Sequence, residues 1–148
     1  MEILVIGTEP PCVRCLTTYR RAKEVAQQFS EKIEVRKVVI HSEEAARYGK
    51  IESGGGIAEA ANVRRDTEKM KLLTGEISKL IADQHYDENL IESKLKEVDN
   101  VLLPVIEKAI ELGYLMTPVL IVNGRVKSMD YVPAKEQIQA WIEIERRR

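Results

Sequence analysis

The pattern of apolar and polar residues at the start of the chain predicts a strand, a helix and a second strand. Residues 3–6 form a short apolar run closed by Gly7, which favours a buried strand over a helix. Apolar residues then recur at helical spacing across residues 16–29. Residues 33–40 predict the next strand, and the intervening helix should make the two strands parallel through a right-handed crossover. Both strands are therefore expected to end at one edge of a sheet.

The last third of the chain predicts a hairpin and a closing helix. Residues 118–122 are an apolar run that leads into Asn123-Gly124, the strongest short hairpin signal, and residues 125–129 return from it. Pro133 precedes a helix expected from residue 134 to about residue 144.

The middle of the chain, residues 41–103, predicts helices. Ser42 is a good N-cap residue, and residues 53–56, Ser-Gly-Gly-Gly, are expected to form a flexible link. Two amphipathic helices should follow, and Pro104 should start another because proline does not fit inside a continuous helix. The apolar residues expected to share a face are Val63, Met70, Leu73, Ile77 and Leu80 in the first helix, and Ile91, Leu95, Val98 and Leu102 in the second.

Composition fits one soluble domain spanning residues 1–148. The chain has 148 residues, of which 44% are hydrophobic and 32% charged, so it is long enough to bury a substantial core. A net charge of -1 offers no electrostatic basis for nucleic-acid binding. No apolar segment reaches the roughly 18 residues of a membrane span, and the start of the chain does not resemble a signal peptide. We therefore expect a cytoplasmic protein without a membrane or nucleic-acid partner.

The candidate chemistry lies in the C-x-x-C pair formed by Cys12 and Cys15. Two prolines before Cys12 cannot lie inside a helix, so Cys12 is expected at the N-terminus of the helix that carries Cys15. Unpaired backbone N–H groups there favour a thiolate, and Arg14 adds positive charge. The pKa of Cys12 should therefore lie below the usual thiol value.

The spacing of the two cysteines predicts their roles. In a reducing compartment, such a pair near a strand-helix pattern favours redox or metal chemistry over a structural disulfide. Cys12 would attack a substrate disulfide, and Cys15, one turn further along, would resolve the mixed disulfide.

The order of these elements resembles the thioredoxin fold, and in particular the small redox-active disulfide proteins of prokaryotes. The resemblance covers residues 1–40 and about 104–148, and residues 107–124, EKAIELGYLMTPVLIVNG, are similar to that family's helix, cis-proline and hairpin. It implies an α/β, thioredoxin-like three-layer fold, in which helices flank a four-stranded mixed sheet. Residues 41–103 would then be an inserted α-helical hairpin.

The resemblance also implies a substrate site. Thr117-Pro118 would be the cis-proline loop, which faces the cysteines and holds a substrate chain by backbone hydrogen bonds, and Pro11 and Arg14 would line the same site. The predicted topology supports this independently, because a strand antiparallel to the first would start at their common edge. The resemblance also implies a cis peptide bond before Pro118, although most X–Pro bonds are trans.

The implied activity is thiol-disulfide exchange on protein or small-molecule disulfides. It needs no cofactor and no metal, and a flavoprotein or another thiol reductase would restore the dithiol. Val13-Arg14 between the cysteines lacks the proline of ordinary thioredoxins, and no tryptophan precedes Cys12, so the family's redox potential cannot be transferred. The insertion has no counterpart in the small family members. Its apolar faces predict that it covers the groove between Cys12 and Pro118 or forms a homodimer interface.

Other functions remain open. The two thiolates could bind a soft metal or metalloid, with His41 as a further ligand, although a structural zinc site usually has four protein ligands. The chain could instead be a non-catalytic interaction module, with an inert thiol pair and the helical insertion as its binding surface. A glutaredoxin is less favoured, because residues 128–131 lack a glycine pair. His41 is expected in a surface loop, and His85 is expected to be solvated.

Overall fold

A computed structural model describes residues 1–83 and 87–148. His85 lies outside the described residues. The elements are β1 Glu2–Gly7, α1 Val13–Ala26, β2 Glu34–Val39, α2 Glu43–Ala46, β3 Ile51–Glu52, α3 Gly54–Ala60, α4 Thr67–Ala82, α5 Glu88–Leu112, β4 Leu115–Met116, β5 Val119–Val122, β6 Arg125–Ser128 and α6 Lys135–Arg146.

The main sheet has four strands in the order β2-β1-β5-β6. β1 pairs with β2 in parallel, while the β1–β5 and β5–β6 pairs are antiparallel, so the predicted crossover and mixed sheet are confirmed. Asn123 and Gly124 both have positive φ, as a tight hairpin turn between β5 and β6 requires. The sequence therefore predicts this sheet to within one residue at most strand ends.

Both faces of the sheet are covered, because successive side chains of β1 point to opposite sides. Ile3 and Val5 pack with apolar residues of α1, β5 and α6 on one face. Leu4 and Ile6 pack on the other face with residues of β2, α2, β3 and β5. Burial of each such side chain contributes about 1.5–3 kcal/mol, so these layers stabilise the sheet against which the start of α1, with both cysteines, packs.

A second, two-stranded sheet was not predicted from the sequence. β3 pairs in parallel with β4, with Ile51 opposite Leu115 and Glu52 opposite Met116. Each strand has only two residues, too few to show any alternation. Its second strand, β4, ends directly before Thr117-Pro118 in the chain.

The chain divides into two compact units, and the second unit has different bounds from the expected insertion, residues 41–103. The first unit contains Met1–Ser53 and Tyr114–Arg148, and the second contains Gly54–Gly113. Residues 41–53 therefore belong to the first unit, where they form α2 and β3, whereas residues 104–113 belong to the second.

The second unit consists of helices α3, α4 and α5. Both α3 and α4 pack against α5. The two amphipathic helices expected here are present as α4 and α5, whose buried residues include Leu73, Ile77, Ile91, Leu95 and Val98. No helix in the described ranges is long and apolar enough to cross a membrane.

Three expectations for this region are wrong. Val63 lies before α4 instead of within it, because Asp66 caps the helix and α4 begins at Thr67. Pro104 lies inside α5 instead of starting a new helix. An interior proline costs about 3 kcal/mol, but Leu102 and Val105 are buried beside it, and burial at this level offsets that cost. The expected flexible link is also helical, because Gly54–Ala60 forms α3 with Ile57 and Ala58 buried.

Candidate functional site

The two cysteines lie at the start of α1, as predicted. Cys12 is the N-cap residue, and its Sγ accepts a hydrogen bond from the Cys15 backbone N–H at 3.3 Å. Both are free thiols, and a hydrogen bond joins their sulfur atoms at 3.0 Å. Cys12 is exposed, whereas Cys15 is only 3% exposed. A reagent from solvent therefore meets Cys12 first.

The geometry separates the pKa values of the two thiols. The hydrogen bond from the Cys15 thiol lowers the pKa of Cys12 to about 6 against the opposing effect of burial, and the Cys15 N–H and the Arg14 charge act in the same direction. The same hydrogen bond, burial and the charge of Cys12 raise the pKa of Cys15. At pH 7, about nine in ten Cys12 side chains would be thiolates. Cys12 is therefore the thiol of the pair that ionises more readily, and Cys15 stays protonated as its hydrogen-bond donor.

Gly7 lets the helix approach the strand at this point. A Cβ atom at Gly7 would lie 2.8 Å from the Cys15 Sγ and 2.9 Å from the Cys15 Cβ, closer than side chains tolerate. The role of Gly7 was not predicted from the sequence. The sequence feature that could have indicated this role is a glycine that ends a strand directly before a C-x-x-C loop.

The loop before the cysteines is held by Thr8, which the sequence analysis also missed. The Thr8 hydroxyl donates to the Pro10 carbonyl at 2.9 Å and accepts the Cys12 backbone N–H at 3.1 Å. The Glu9–Pro10 peptide bond is cis. Pro11 is partly exposed next to Cys12. These contacts set the direction from which Cys12 enters α1.

Arg14 lies between the cysteines but points into the protein. Its side chain is buried, and its Nη2 donates a hydrogen bond to the Asp130 carbonyl oxygen. The Asp130 backbone N–H in turn donates to the Met116 carbonyl at 2.7 Å. Arg14 therefore braces the segment that precedes Thr117-Pro118. Its predicted contact with substrate stays a prediction.

Strand pairing brings Thr117-Pro118 to the cysteine pair. Ile6 pairs with Val119, so the next antiparallel position sets Gly7 opposite Pro118, and Cys15 packs on Gly7. The Thr117–Pro118 peptide bond is cis, as predicted.

The backbone N–H of Thr117 is hydrogen-bonded within the protein. Thr117 is buried, and its N–H donates to the Glu52 carbonyl at 3.1 Å. This N–H is one of the groups expected to hold a substrate chain. The resemblance did not lead us to expect a strand of the protein itself at this position.

His41 lies in the turn after β2 and contacts Glu52. Its Nε2 is 2.8 Å from the Glu52 Oε2, and its side chain is largely exposed, in agreement with a surface loop. Burial would raise the pKa of Glu52, but the His41 hydrogen bond and the Ser53 N–H outweigh it and lower that pKa. Among the described residues, no group of three or more histidine, cysteine or acidic side chains is arranged to hold a metal.

A small cavity borders the buried thiol. It has a volume of about 20 Å³ and is lined by Cys15, Gly7, Thr8, Pro11 and Lys37, among others. This volume is enough for about one water molecule. Cys15 therefore borders a space no larger than about one water molecule.

Most of the site residues predicted from the sequence meet here. Cys12, Cys15, Thr117 and Pro118 are brought to one edge of the sheet, and Pro11 flanks them, whereas Arg14 is internal. Comparisons of the chain with models of known protein families, with curated proteins and with solved structures found no match.

Proposed function

We propose that this protein is a thiol-disulfide oxidoreductase with a thioredoxin-like fold, in which Cys12 is the nucleophile and Cys15 the resolving thiol. The observation that carries the proposal is the asymmetry of the pair. An exposed sulfur with a lowered pKa lies 3.0 Å from a buried sulfur with a raised pKa. The sheet order β2-β1-β5-β6 and the cis peptide bond before Pro118 agree with the fold.

The reaction balances between one dithiol and one disulfide. The Cys12 thiolate attacks a sulfur of the substrate, so the substrate S–S bond breaks and one thiolate leaves, which takes up a proton as a thiol. Cys15 then loses its proton and attacks the Cys12 sulfur. The second substrate thiol leaves, and Cys12 and Cys15 are joined in a disulfide. Two electrons pass to the substrate sulfurs.

The first step lowers the barrier to the second. While Cys12 is a thiolate, its negative charge and its hydrogen bond raise the pKa of Cys15. Once Cys12 is part of a mixed disulfide, that charge is gone and the pKa of Cys15 falls. Cys15 therefore becomes a nucleophile only when a mixed disulfide is present to be resolved.

Regeneration requires an external dithiol. A flavoprotein or another thiol reductase in a reducing compartment, such as the cytoplasm, would supply the electrons, and no cofactor would be held by the chain. The helical residues 54–113 would shape substrate access or form a homodimer interface.

The chain offers a clean test, because it contains only two cysteines. Catalysis is measured as reduction of 2-hydroxyethyl disulfide by dithiothreitol, above the uncatalysed rate and over many turnovers. Cys12→Ser should abolish it. Cys15→Ser serves as the matched variant, and it should accumulate one substrate thiol on Cys12, detected by mass spectrometry. Full activity in Cys12→Ser would refute the proposal.

A further inference from the structure

The backbone edge beside Thr117-Pro118 is filled by the protein's own strand β3. The Leu115 N–H donates to the Lys50 carbonyl at 2.8 Å, and the Thr117 N–H donates to the Glu52 carbonyl at 3.1 Å. These are the alternating bonds of a parallel ladder. A strand added at this edge by another chain would need the same N–H groups.

The other side of the segment is engaged as well. The Met116 carbonyl accepts the Asp130 N–H at 2.7 Å. Pro118, the next residue after Thr117, has no N–H to offer. An extended peptide could therefore pair with the Leu115 and Thr117 N–H groups only by displacing β3.

β3 is anchored well enough to resist displacement. Ile51 is buried in the core cluster that contains Leu4, Val38 and Val119. Glu52, next to it, is held by His41 at 2.8 Å and by the Ser53 N–H at 2.9 Å. Removing β3 from β4 would expose the Ile51 side chain and break these contacts together. The strand is part of the folded core, not a loose segment lying on it.

The reactive sulfur itself stays accessible. Cys12 is exposed, and its lowered pKa depends on Cys15 and Arg14, not on β3. The site therefore offers a nucleophile to solvent beside a backbone edge that is already paired.

We propose that the Cys12 thiolate acts on low-molecular-weight disulfides, because β3 occupies the backbone edge that would otherwise hold an extended peptide. This inference rests on the proposed oxidoreductase function and narrows its substrate class. Recognition is confined to the disulfide and the atoms next to it. Residues flanking the substrate cysteine contribute nothing to the rate.

The test is a series of disulfides of increasing length, reduced by the full-length wild-type protein with dithiothreitol. The substrates are the symmetric disulfides of N-acetylcysteine amide, of an alanine tripeptide with central cysteine and of an alanine heptapeptide with central cysteine. Each kcat/KM is divided by the uncatalysed rate constant of the same disulfide, which removes differences in thiol reactivity. We expect the corrected values to agree within about twofold.

Hydrogen bonds between the protein and the backbone of the peptide substrate would give a different result. Each net backbone hydrogen bond is worth about a fivefold change in affinity, so two of them would raise the corrected value for the heptapeptide by about 25-fold. A rise of that size overturns the inference while leaving the oxidoreductase function intact. Failure to reduce any disulfide in the series overturns both.

A matched pair of variants links the result to β3. Ile51→Ala removes the anchor of β3, and Ile138→Ala makes the same truncation in the core on the other face of the sheet. Amide hydrogen exchange at Thr117 reports whether β3 has loosened. We expect Ile51→Ala alone to speed this exchange and to make kcat/KM rise severalfold with peptide length. Faster exchange with no length dependence would overturn the role of β3, and the wild-type series decides the substrate class by itself.

Discussion

Replacement of Gly7 by alanine is the sharpest test of how the site is built. The new Cβ would meet the Cys15 Sγ at 2.8 Å, whereas ordinary van der Waals contact begins at 3.4 Å. Cys15 or the backbone of β1 must therefore shift by roughly 0.6 Å where both residues are buried, and overpacking of this kind costs about 1–3 kcal/mol. With a urea m-value of about 2 kcal/mol/M, the unfolding midpoint should fall by about 1 M.

The same substitution should change the chemistry of the exposed thiol. The largest contribution to the lowered pKa of Cys12 is its hydrogen bond with Cys15, and a displaced Cys15 weakens that bond. The pKa of Cys12 should then rise from about 6 toward its ordinary value, as measured by the ultraviolet absorbance of the thiolate against pH.

Gly75→Ala is the matched control, because a Cβ atom at Gly75, within α4, would meet no atom within 4 Å. This variant should be as stable as the wild type or more stable by up to about 1 kcal/mol, with the pKa of Cys12 unchanged. If Gly7→Ala unfolds at the wild-type urea concentration and keeps a Cys12 pKa of about 6, the close packing of Cys15 on β1 does not control the site.

Three further predictions concern reactivity, acid stability and the second unit. Alkylation of Cys12 by iodoacetamide should reach half its maximal rate near pH 6. Cys15→Ala removes the main hydrogen-bond donor to Cys12 and should raise the pH of this midpoint. Equal midpoints in the variant and the wild type would contradict this prediction. Hydrogen bonding by Lys127 lowers the pKa of the buried Glu145 carboxyl, so its stabilisation is present above about pH 4.5 and is lost as the pH falls through the folded-state pKa. Glu145→Gln should therefore unfold at lower urea than the wild type at pH 7, with the difference shrinking in acid, and a difference independent of pH would exclude an ionic cause. Finally, Ser53 follows β3 and Tyr114 precedes β4, and a connection between two parallel strands needs about a dozen residues, so a twelve-residue Gly/Ser linker can replace Gly54–Gly113. The shortened chain should unfold cooperatively in circular dichroism, and loss of that transition would show that the first unit needs the second.

Short-range signals explain what could be predicted from the sequence. The apolar runs of β1 and β2, the crossover between them and the turn at Asn123-Gly124 all depend on residues close together in the chain. The N-cap position of Cys12 follows in the same way from the prolines before it. These elements are enough to bring the C-x-x-C pair and Thr117-Pro118 to one edge of the sheet.

What could not be predicted depends on distant partners. β3 and β4 are two residues each and exist only because segments more than 60 residues apart meet. Pro104 breaks an isolated helix, but the burial of neighbouring side chains carries α5 through it. The contact of Gly7 with Cys15 depends on how α1 is seated on β1, which the local pattern does not specify.

Arg14 has one effect that the local sequence predicts and one that depends on a distant residue. Its position between the cysteines correctly predicts that its charge lowers the pKa of Cys12. The sequence does not reveal that the guanidinium is buried against the Asp130 carbonyl, 116 residues away, nor that Asp130 holds Met116 beside the cis-proline loop. A single side chain therefore contributes to the lowered pKa of Cys12 and braces the segment before Thr117-Pro118. Because both effects require the same buried position, the pKa of Cys12 and the placement of the segment before Thr117-Pro118 are coupled.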